Sequence, residues 1–503
     1  MRASIQRDPP TGWLGALRLA PGWVSLGTLG SVLVMIAGAR LGGGNVIWWL
    51  HAKILSGGNI NKGVLYAGMV AIAIAWAGLG RAASTRLLRP PQLATVAILW
   101  SAPLAVGVPL FSRDIYSYLA QGTIAHLGLN PYHDAPAVLG RLGHVHVLNA
   151  VDPFWRTATA PYGPLFLAVI SAVVGLVGSN LVVGALLVRA FDLLGLVLLA
   201  VCVPRLARRT GADPTRAFWL AVLSPLVLLQ LVAAGHNDLL MVGVMVAGVT
   251  LALERRPLLG IAVCTVAATI KVPALAAVVF IATVWIRSEP SWRMRLASLG
   301  KAAVVVLGTA AAVTLITGFG VGWLSAALFS TPARVRIAIT PASDVSWTFA
   351  PLLHDLGLAV SYRGLEAVLR PLAFAASAVV AVALLWKSRW QTLVQYLGLA
   401  LIAFALGGPA VWPWYFSWGL VLLAAWAPAQ RSRAVVFAVL LASFLVKPNG
   451  IFVLPLGLSP VVVVLWIVTA AIAVYMWRRR ERVPGVPERS DGLRPARSAL
   501  AEQ

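Results

Sequence analysis

Residues 92–111, QLATVAILWSAPLAVGVPLF, form an apolar run long enough to cross a bilayer as a helix. A polar and aromatic segment follows at residues 112–133 and begins with SRDIYSY. Asp114 therefore falls at or near a membrane boundary, where a carboxylate costs free energy unless it is paired or solvated. This position makes Asp114 a candidate functional residue.

The rest of the chain repeats this apolar pattern. Of its 503 residues, 60% are hydrophobic and only 11% are charged, which is too few charges to cover a water-soluble globule of this size. The apolar runs lack the two-residue alternation of a membrane β-barrel. We therefore predict an all-α integral membrane protein with about 13–14 transmembrane helices.

The net charge of +24 does not indicate nucleic-acid binding. Most of the arginines lie in short connections between apolar runs, as the positive-inside rule produces on the cytoplasmic side. The two cysteines, Cys202 and Cys264, lie inside apolar runs and have neither disulfide nor metal-ligand spacing.

Charge placement also predicts the organisation of the chain. Residues 1–21 form a cytoplasmic segment, 22–91 an additional pair of transmembrane helices, 92–477 the main membrane domain, and 478–503 a basic, disordered cytoplasmic tail. Both termini are then cytoplasmic, and residues 112–161 form the first large outer loop.

Two apolar segments need a separate interpretation. If residues 163–178 crossed the membrane, Arg205, Arg208 and Arg209 would lie outside, so we expect this segment to lie along the outer leaflet or enter it only partly. Residues 258–286 are too long for one helix and carry Lys271 and Pro273 near their middle. We expect two short helices there, with Lys271 near the outer turn.

Asp114 has a structural and a functional interpretation. It could pair with Arg113 or cap the helix that begins at Ile115. Alternatively, Tyr116 and Tyr118 follow at helical spacing and offer an aromatic, hydroxyl-bearing face that suits a sugar.

Asp192 lies within an apolar run, three residues after Arg189. A helical ion pair between them would spare both charges an unpaired burial. The alternative is that Arg189 points to the outer cavity and holds a phosphate.

Other outer polar residues could join Asp114. His236, Asn237 and Asp238 occupy a tight turn that could be a capping turn or the lip of the outer cavity. A metal site that also includes His133, His144 and His146 is a weaker alternative.

Lys271 either snorkels to the headgroups or binds a lipid phosphate. Arg334 and Arg336 are further phosphate candidates or plain surface residues. The side chains of Trp412, Trp414 and Tyr415 belong either to an interfacial aromatic belt or to a sugar-stacking surface.

Six segments occur in a recognisable order: RDIYSY at 113–118, GLNPY at 128–132, APYGP at 160–164, GHND at 235–238, IKVP at 270–273 and WPWY at 412–415. Over residues 92–450 the chain thereby resembles the polyprenol-phosphomannose-dependent α-1,6-mannosyltransferases of actinobacterial lipomannan synthesis, within the C superfamily of glycosyltransferases. Although we favour the enzyme that starts the mannan backbone, these motifs do not separate it from the one that extends it.

The resemblance implies a catalytic base in the first large outer loop, which is Asp114 here, and a juxtamembrane helix after the Tyr-Gly-Pro motif. It also implies a donor with mannose on a polyprenyl phosphate of the decaprenyl type, and a lipid-anchored mannoside acceptor. We expect Lys271, Arg189 and Arg334 to bind the donor phosphate. The expected sugar and acceptor site comprises Tyr116, Tyr118, Asn130, Tyr132, Tyr162, His236, Asn237, Asp238, Trp412, Trp414 and Tyr415.

The expected reaction inverts the anomeric centre in one displacement and needs one carboxylate base. No Asp-x-Asp nucleotide-sugar motif occurs, in keeping with a lipid-linked donor. No cofactor or metal is implied, and the expected location is the plasma membrane with the active site on the extracytoplasmic face.

Two other functions remain open. A flippase or transporter of lipid-linked sugar would place charges through the membrane depth, whereas the polar clusters here lie on one side. A related enzyme could form a different linkage, such as α-1,2-mannosyl.

Overall fold

The structure is a computed structural model that describes residues 15–42, 46–50, 58–85, 88–326, 340–453 and residue 463. Helices dominate these residues, with an isolated β-bridge between Val446 and Phe452. The helices up to residue 317 are Gly15–Leu19, Pro21–Gly38, Gly58–Ser84, Pro90–Val106, Asp114–His126, Val138–Arg141, Val145–Ala150, Pro164–Val177, Leu181–Arg209, Pro214–Ala221, Pro225–Val227, Asp238–Leu253, Pro257–Ala268, Leu275–Ser288 and Trp292–Thr317. Those that follow are Gly322–Ser325, Pro341–Asp355, Tyr362–Lys387, Leu393–Gly407, Ser417–Leu423, Ala427–Gln430 and Arg433–Phe444.

Several of these helices are suited to a bilayer. Within the described ranges, six are long and apolar enough to cross a membrane, and seven shorter apolar helices have 10–17 residues. Trp292–Thr317 exposes large apolar side chains such as Leu315 and Ile316, 81% and 85% exposed. Such a surface needs lipid around it. The predicted all-α membrane fold is confirmed, while the end of the main membrane domain after residue 453, apart from residue 463, and the predicted tail 478–503 lie outside the described residues.

The first two long helices pack into the common core. Trp76 of Gly58–Ser84 stacks on Trp219 of Pro214–Ala221 with ring centroids 4.6 Å apart. Each indole N–H donates to the backbone carbonyl of the other tryptophan, at 3.0 and 2.7 Å. These reciprocal bonds satisfy both buried donors and join the N-terminal helices to the main domain.

The helical breaks bring polar residues together. The expected break in 258–286 is confirmed, because Pro257–Ala268 ends before Lys271 and a 3₁₀ turn, Val272–Ala274, leads into Leu275–Ser288. The apolar segment after the WPWY motif is also interrupted, since the helix Ser417–Leu423 is short and is followed by Ala427–Gln430.

The helix Pro164–Val177 bears on the juxtamembrane prediction. Its 14 residues give a length of about 21 Å, shorter than the roughly 30 Å hydrocarbon core. It packs against Asp114–His126 through a T-shaped contact between Phe166 and Tyr118, at 5.0 Å. Its length favours a partly inserted helix, which stays a prediction.

Candidate active site

The segment before Asp114 is held between two distant parts of the chain. The Leu110 N–H donates to the Ala233 carbonyl at 3.2 Å, and the Phe111 N–H donates to the Pro448 carbonyl at 2.9 Å. Phe111 has a φ of 65°, which is uncommon for a residue other than glycine. The start of the Asp114–His126 helix is thus set by tertiary contacts.

Asp114 is the first residue of its helix, and neither structural alternative applies to its side chain. Its N–H donates to Ser112 Oγ at 3.0 Å, and the preceding Arg113 donates to the carbonyls of Asn149 and Ala150. The Asp114 side chain is 21% exposed, and its Oδ2 lies 3.7 Å from Nε2 of His236. The carboxylate can therefore reach both solvent and an imidazole.

The turn that carries His236 depends on Gly235. Gly235 has a φ of 72°, and a Cβ there would lie 2.8 Å from Ile115 Cδ1. Glycine permits this left-handed conformation at little cost. His236 is completely buried, its Nδ1 lies 2.5 Å from the Gln230 carbonyl, and its ring stacks on Trp414 at 4.0 Å.

The next residues of the turn are also held by side chains. Asn237 Oδ1 accepts a hydrogen bond from the Tyr118 hydroxyl at 3.5 Å. Asp238 is fully buried, with Oδ2 2.7 Å from Lys271 Nζ and Oδ1 accepting from the Trp418 indole at 2.6 Å. Asp238 is therefore paired, as a buried carboxylate must be.

Lys271 occupies the break between two helices. Its ammonium group lies 5.0 Å from the centroid of the Tyr415 ring and 6.0 Å from that of Tyr162. Cations at such distances are attracted by the faces of aromatic rings. Lys271 thus has one carboxylate and an aromatic cage, and it is not a snorkelling lysine.

The Tyr-Gly-Pro motif, residues 162–164, contacts the segment that precedes Lys271. The Gly163 N–H donates to the Ile270 carbonyl at 3.0 Å, and a Cβ on Gly163 would lie 2.0 Å from the Thr269 carbonyl oxygen. Only glycine allows this approach. The Tyr132 hydroxyl donates to the Tyr162 carbonyl at 3.0 Å, and burial raises the pKa of Tyr132, so the phenol keeps its proton.

A cavity of about 1570 Å³ opens beside these residues. One end is polar and aromatic, with Asp114, Lys271, Trp414 and Tyr415 in its wall. The other end is apolar and runs between the helices Leu275–Ser288, Tyr362–Lys387 and Leu393–Gly407. A ligand with a polar head and a long apolar tail would match both ends.

The structure divides the predicted site residues into two layers. Those that line the cavity are Asp114, Tyr162, Lys271, Trp412, Trp414 and Tyr415. The others do not line the cavity and form a supporting layer, which contacts the lining residues or stabilises the loop that follows the Asp114 helix. This layer comprises Tyr116, Tyr118, Asn130, Tyr132, His236, Asn237 and Asp238. Asn130, for example, accepts from the Tyr132 N–H at 3.0 Å and so shapes a turn.

Arg189 has a different environment from either one predicted. It is buried and donates to the carbonyls of Ala105, Gly107 and Ala233. Among the described residues, neither oxygen of Asp192 has a hydrogen-bond partner, so the predicted ion pair between Arg189 and Asp192 is wrong. Arg189 is not among the residues that line the cavity, and we leave it out of the phosphate site. Arg334 and Arg336 lie outside the described residues.

Sequence reasoning missed several residues of the cavity wall. Arg370 lines it while donating to the Pro409 carbonyl at 2.5 Å, and Lys447 contributes an exposed side chain. Trp418 and Trp155 add aromatic surface. Lys447 had a signal in the sequence, since a cation at an outer turn runs against the positive-inside rule.

The alternative of a metal site was tested on the residues that the structure describes. Among these residues, no group of three or more His, Cys, Asp or Glu side chains could hold a metal ion.

A family model described as the N-terminal domain of alpha-(1->6)-mannopyranosyltransferase matches residues 24–287, and one described as the MptB C-terminal domain matches residues 348–479. The chain belongs to the alpha-(1->6)-mannopyranosyltransferase family. It is a membrane-embedded glycosyltransferase that transfers mannose. The first match begins at residue 24 and so includes the first two long helices.

Individual relatives agree with this family. Alpha-(1->6)-mannopyranosyltransferase A of Mycobacterium tuberculosis is 35% identical over 82% of this chain and 81% of its own length. A probable alpha-(1->6)-mannopyranosyltransferase of Mycolicibacterium smegmatis is 32% identical over 86% and 84%. Alpha-(1->6)-mannopyranosyltransferase B of Corynebacterium glutamicum is 29% identical over 71% and 62%. No solved structure matches this chain.

Proposed function

We propose that this mannosyltransferase moves mannose from a decaprenyl-type polyprenyl phosphate to a lipid-anchored mannoside. The new bond is α-1,6 and extends or starts the backbone of lipomannan and lipoarabinomannan. The observation that carries the proposal is that Asp114 lines the same cavity as a long run of apolar side chains. The resemblance of the six ordered motifs supports the choice of donor.

The apolar end of the cavity suits a polyprenyl tail. Pro371, Phe374, Ala378, Val382 and Leu385 recur every three or four residues and form one stripe of the Tyr362–Lys387 helix. Such spacing places side chains on one helical face. From Pro371 to Leu385 the stripe extends about 21 Å, which is most of the depth of the hydrocarbon core.

The polar end offers charge for a phosphate leaving group. Lys271 lines the cavity, but its Nζ lies 2.7 Å from the carboxylate of Asp238, so its positive charge is partly compensated. Lys447 adds a further cation to the same wall, and so does Arg370, whose Nε lies 3.8 Å from Oε1 of Glu366. A phosphate leaving group needs such neutralisation and no proton, and we therefore assign the donor phosphate to this region.

Asp114 acts as the base in this proposal. The acceptor hydroxyl attacks the anomeric carbon, the bond to the phosphate oxygen breaks with its electron pair on the phosphate, and Asp114 takes the hydroxyl proton. One displacement converts a β-linked donor into an α-linked product. Trp412 and Trp414 line the cavity but stack on each other, with His236 and Phe452 on their outer faces, so they present their ring edges to the acceptor sugar.

The basic residues lie at the helix ends away from the proposed site, and this placement supports an active site on the outer side of the membrane. Arg205, Arg208, Arg209 and Glu254 line a separate cavity of about 570 Å³. Arg209 ends the helix whose other end is Leu181, and Glu254 follows the helix that begins at Asp238. The basic residues thus lie at the helix ends opposite the Asp238 turn, and we assign them to the cytoplasmic side of the plasma membrane, with both termini.

Product analysis tests this function. Washed membranes containing the enzyme are incubated with radiolabelled mannosyl decaprenyl phosphate and defined α-1,6-mannoside acceptors, and the linkage of the product is determined. We expect α-1,6 products that are absent with Asp114→Asn. An α-1,2 product would replace the linkage assignment, and movement of label across sealed vesicles without a new glycosidic bond would contradict transfer altogether.

A further inference from the structure

The orientation of the buried imidazole of His236 is determined by its neighbours. Its Nδ1 lies 2.5 Å from the Gln230 carbonyl, which can only accept, so Nδ1 carries a hydrogen. The Gln230 side chain is itself held by the Ser443 carbonyl at 3.1 Å. Stacking on Trp414 covers one ring face. The tautomer and the position of the ring are therefore set by the fold.

The other nitrogen, Nε2, faces the proposed base. It lies 3.7 Å from Oδ2 of Asp114 and has no hydrogen-bond partner among the residues that the structure describes. In the neutral ring Nε2 is an acceptor, as is a carboxylate oxygen. Two acceptors attract each other only when a proton lies between them, so this contact provides a place for one proton.

We propose that His236 is a positioning residue for Asp114 and shares the proton that Asp114 removes from the acceptor. This inference rests on the proposed function. The proton passes from the acceptor hydroxyl to Oδ2 of Asp114, which then donates to Nε2 of His236. The carbon–oxygen bond and the phosphate leaving group are as described above, so no further reactant is needed. Before transfer, the neutral ring leaves the carboxylate basic.

This arrangement makes the rate of mannose transfer depend on pH. The charged groups that face His236 are Asp114 and Asp238, which favour its protonated form, and Lys271, which opposes it. The ring lies in the turn outside the membrane-spanning helices, where burial is the main effect and lowers the pKa of His236. Once the ring is protonated at low pH, it forms an ion pair with the Asp114 carboxylate and makes it a weaker base. Transfer therefore falls as the pH decreases through the pKa of His236.

The test compares the pH profiles of wild type and His236→Gln in detergent, with KM measured for donor and acceptor. Glutamine cannot take up the proton. We expect kcat at neutral pH to fall about tenfold to a hundredfold, a fraction of the roughly 10²–10⁴ that a general base contributes. Both KM values should stay within about twofold, and the acid-side inflection that His236 causes should be lost from the kcat profile. His126→Gln, at an exposed histidine that ends the Asp114 helix, is the matched control and should match wild type.

The outcomes separate the possible roles. An equal loss of activity at every pH, together with a lower melting temperature, would show a structural histidine and overturn the proposal. If His236→Gln does not fold, the wild-type profile decides, because a kcat that stays flat over the whole acidic range in which the enzyme remains folded contradicts the shared proton. Normal transfer by Asp114→Asn would instead remove the base itself, and with it the proposed mechanism.

Discussion

The ammonium group of Lys271 lies 2.7 Å from Oδ2 of Asp238, and this pair joins the GHND turn to the break in the apolar run 258–286. Asp238 is fully buried and Lys271 is mostly buried. The pair therefore has a structural role as well as a place in the phosphate site, and the two roles can be separated by mutation.

Lys271→Met should destabilise the enzyme more than the double substitution Lys271→Met/Asp238→Asn. The single change leaves a buried carboxylate unpaired, which typically costs about 3–5 kcal/mol. Thermal unfolding of the purified proteins in detergent measures this difference. Both variants should use the lipid-linked donor poorly, with a smaller change in acceptor KM. Equal loss for donor and acceptor would assign Lys271 a structural role only.

Asp114→Asn should lower transfer by about 10²–10⁴, the usual contribution of a general base. The change is nearly isosteric, and the side chain is partly exposed, so the melting temperature should not change. Asp134→Asn, in the same outer loop, is the control and should keep activity within about twofold. If Asp114→Asn transferred mannose at near-normal rates, another group would have to be the base.

Ala378→Trp should obstruct the apolar groove, because Ala378 lies in its wall. We expect the KM for decaprenyl-linked mannose to rise at least about tenfold. Overpacking of a protein interior costs about 1–3 kcal/mol, and a similar loss of binding free energy would produce such a rise. A short-chain donor analogue should be affected less. Ala376→Trp places the same ring on an exposed position of the same helix and should behave as wild type. Equal effects on both donor lengths would argue against a tail in this groove.

Arg189→Gln should reduce stability and leave the donor KM unchanged. The change removes a buried donor from the carbonyls of Ala105, Gly107 and Ala233. Each unsatisfied carbonyl costs about 1–3 kcal/mol. Donor kinetics of the folded fraction, measured beside its melting temperature, provide the check. A selective rise in donor KM would restore Arg189 to the phosphate site.

Gly163→Ala should abolish stable expression, since the new Cβ would lie 2.0 Å from a backbone oxygen. The neighbour is main chain and cannot move aside cheaply. Gly300→Ala is the matched control, because Gly300 lies in the Trp292–Thr317 helix with open space at its Cβ. Alanine is favoured over glycine within a helix by about 0.5–1 kcal/mol. A well-expressed Gly163→Ala enzyme would contradict the close approach seen here.

Sequence reasoning reached the class of the protein and its all-α membrane fold, while the side of the membrane that carries the polar residues stays a prediction. Apolar run lengths and arginine placement depend on local composition, and the bilayer imposes them directly. The break at Lys271 was also predictable, because a proline two residues after a charged side chain interrupts a buried helix.

The roles of individual residues were harder to predict. Arg189 looked like half of a helical pair, yet its guanidinium reaches three carbonyls on other segments. His236 and Asp238 looked like parts of a sugar site, yet they support Asp114 and Lys271 from behind. Periodicity along one helix cannot reveal partners that lie on other segments, 33 to 84 residues away for Asp238 and Arg189.

The amino-acid sequence by itself determined that this chain is a bundle of membrane helices with unusual polar residues in the turns between them. Hydrophobic run length and charge placement are sufficient for that conclusion, since each segment meets the bilayer individually. Only the tertiary structure decided which polar residues line the cavity and which stand behind them. Helix breaks at Gly235 and Lys271 and the close approach at Gly163 bring distant segments within hydrogen-bonding distance, and such contacts depend on packing across the whole bundle.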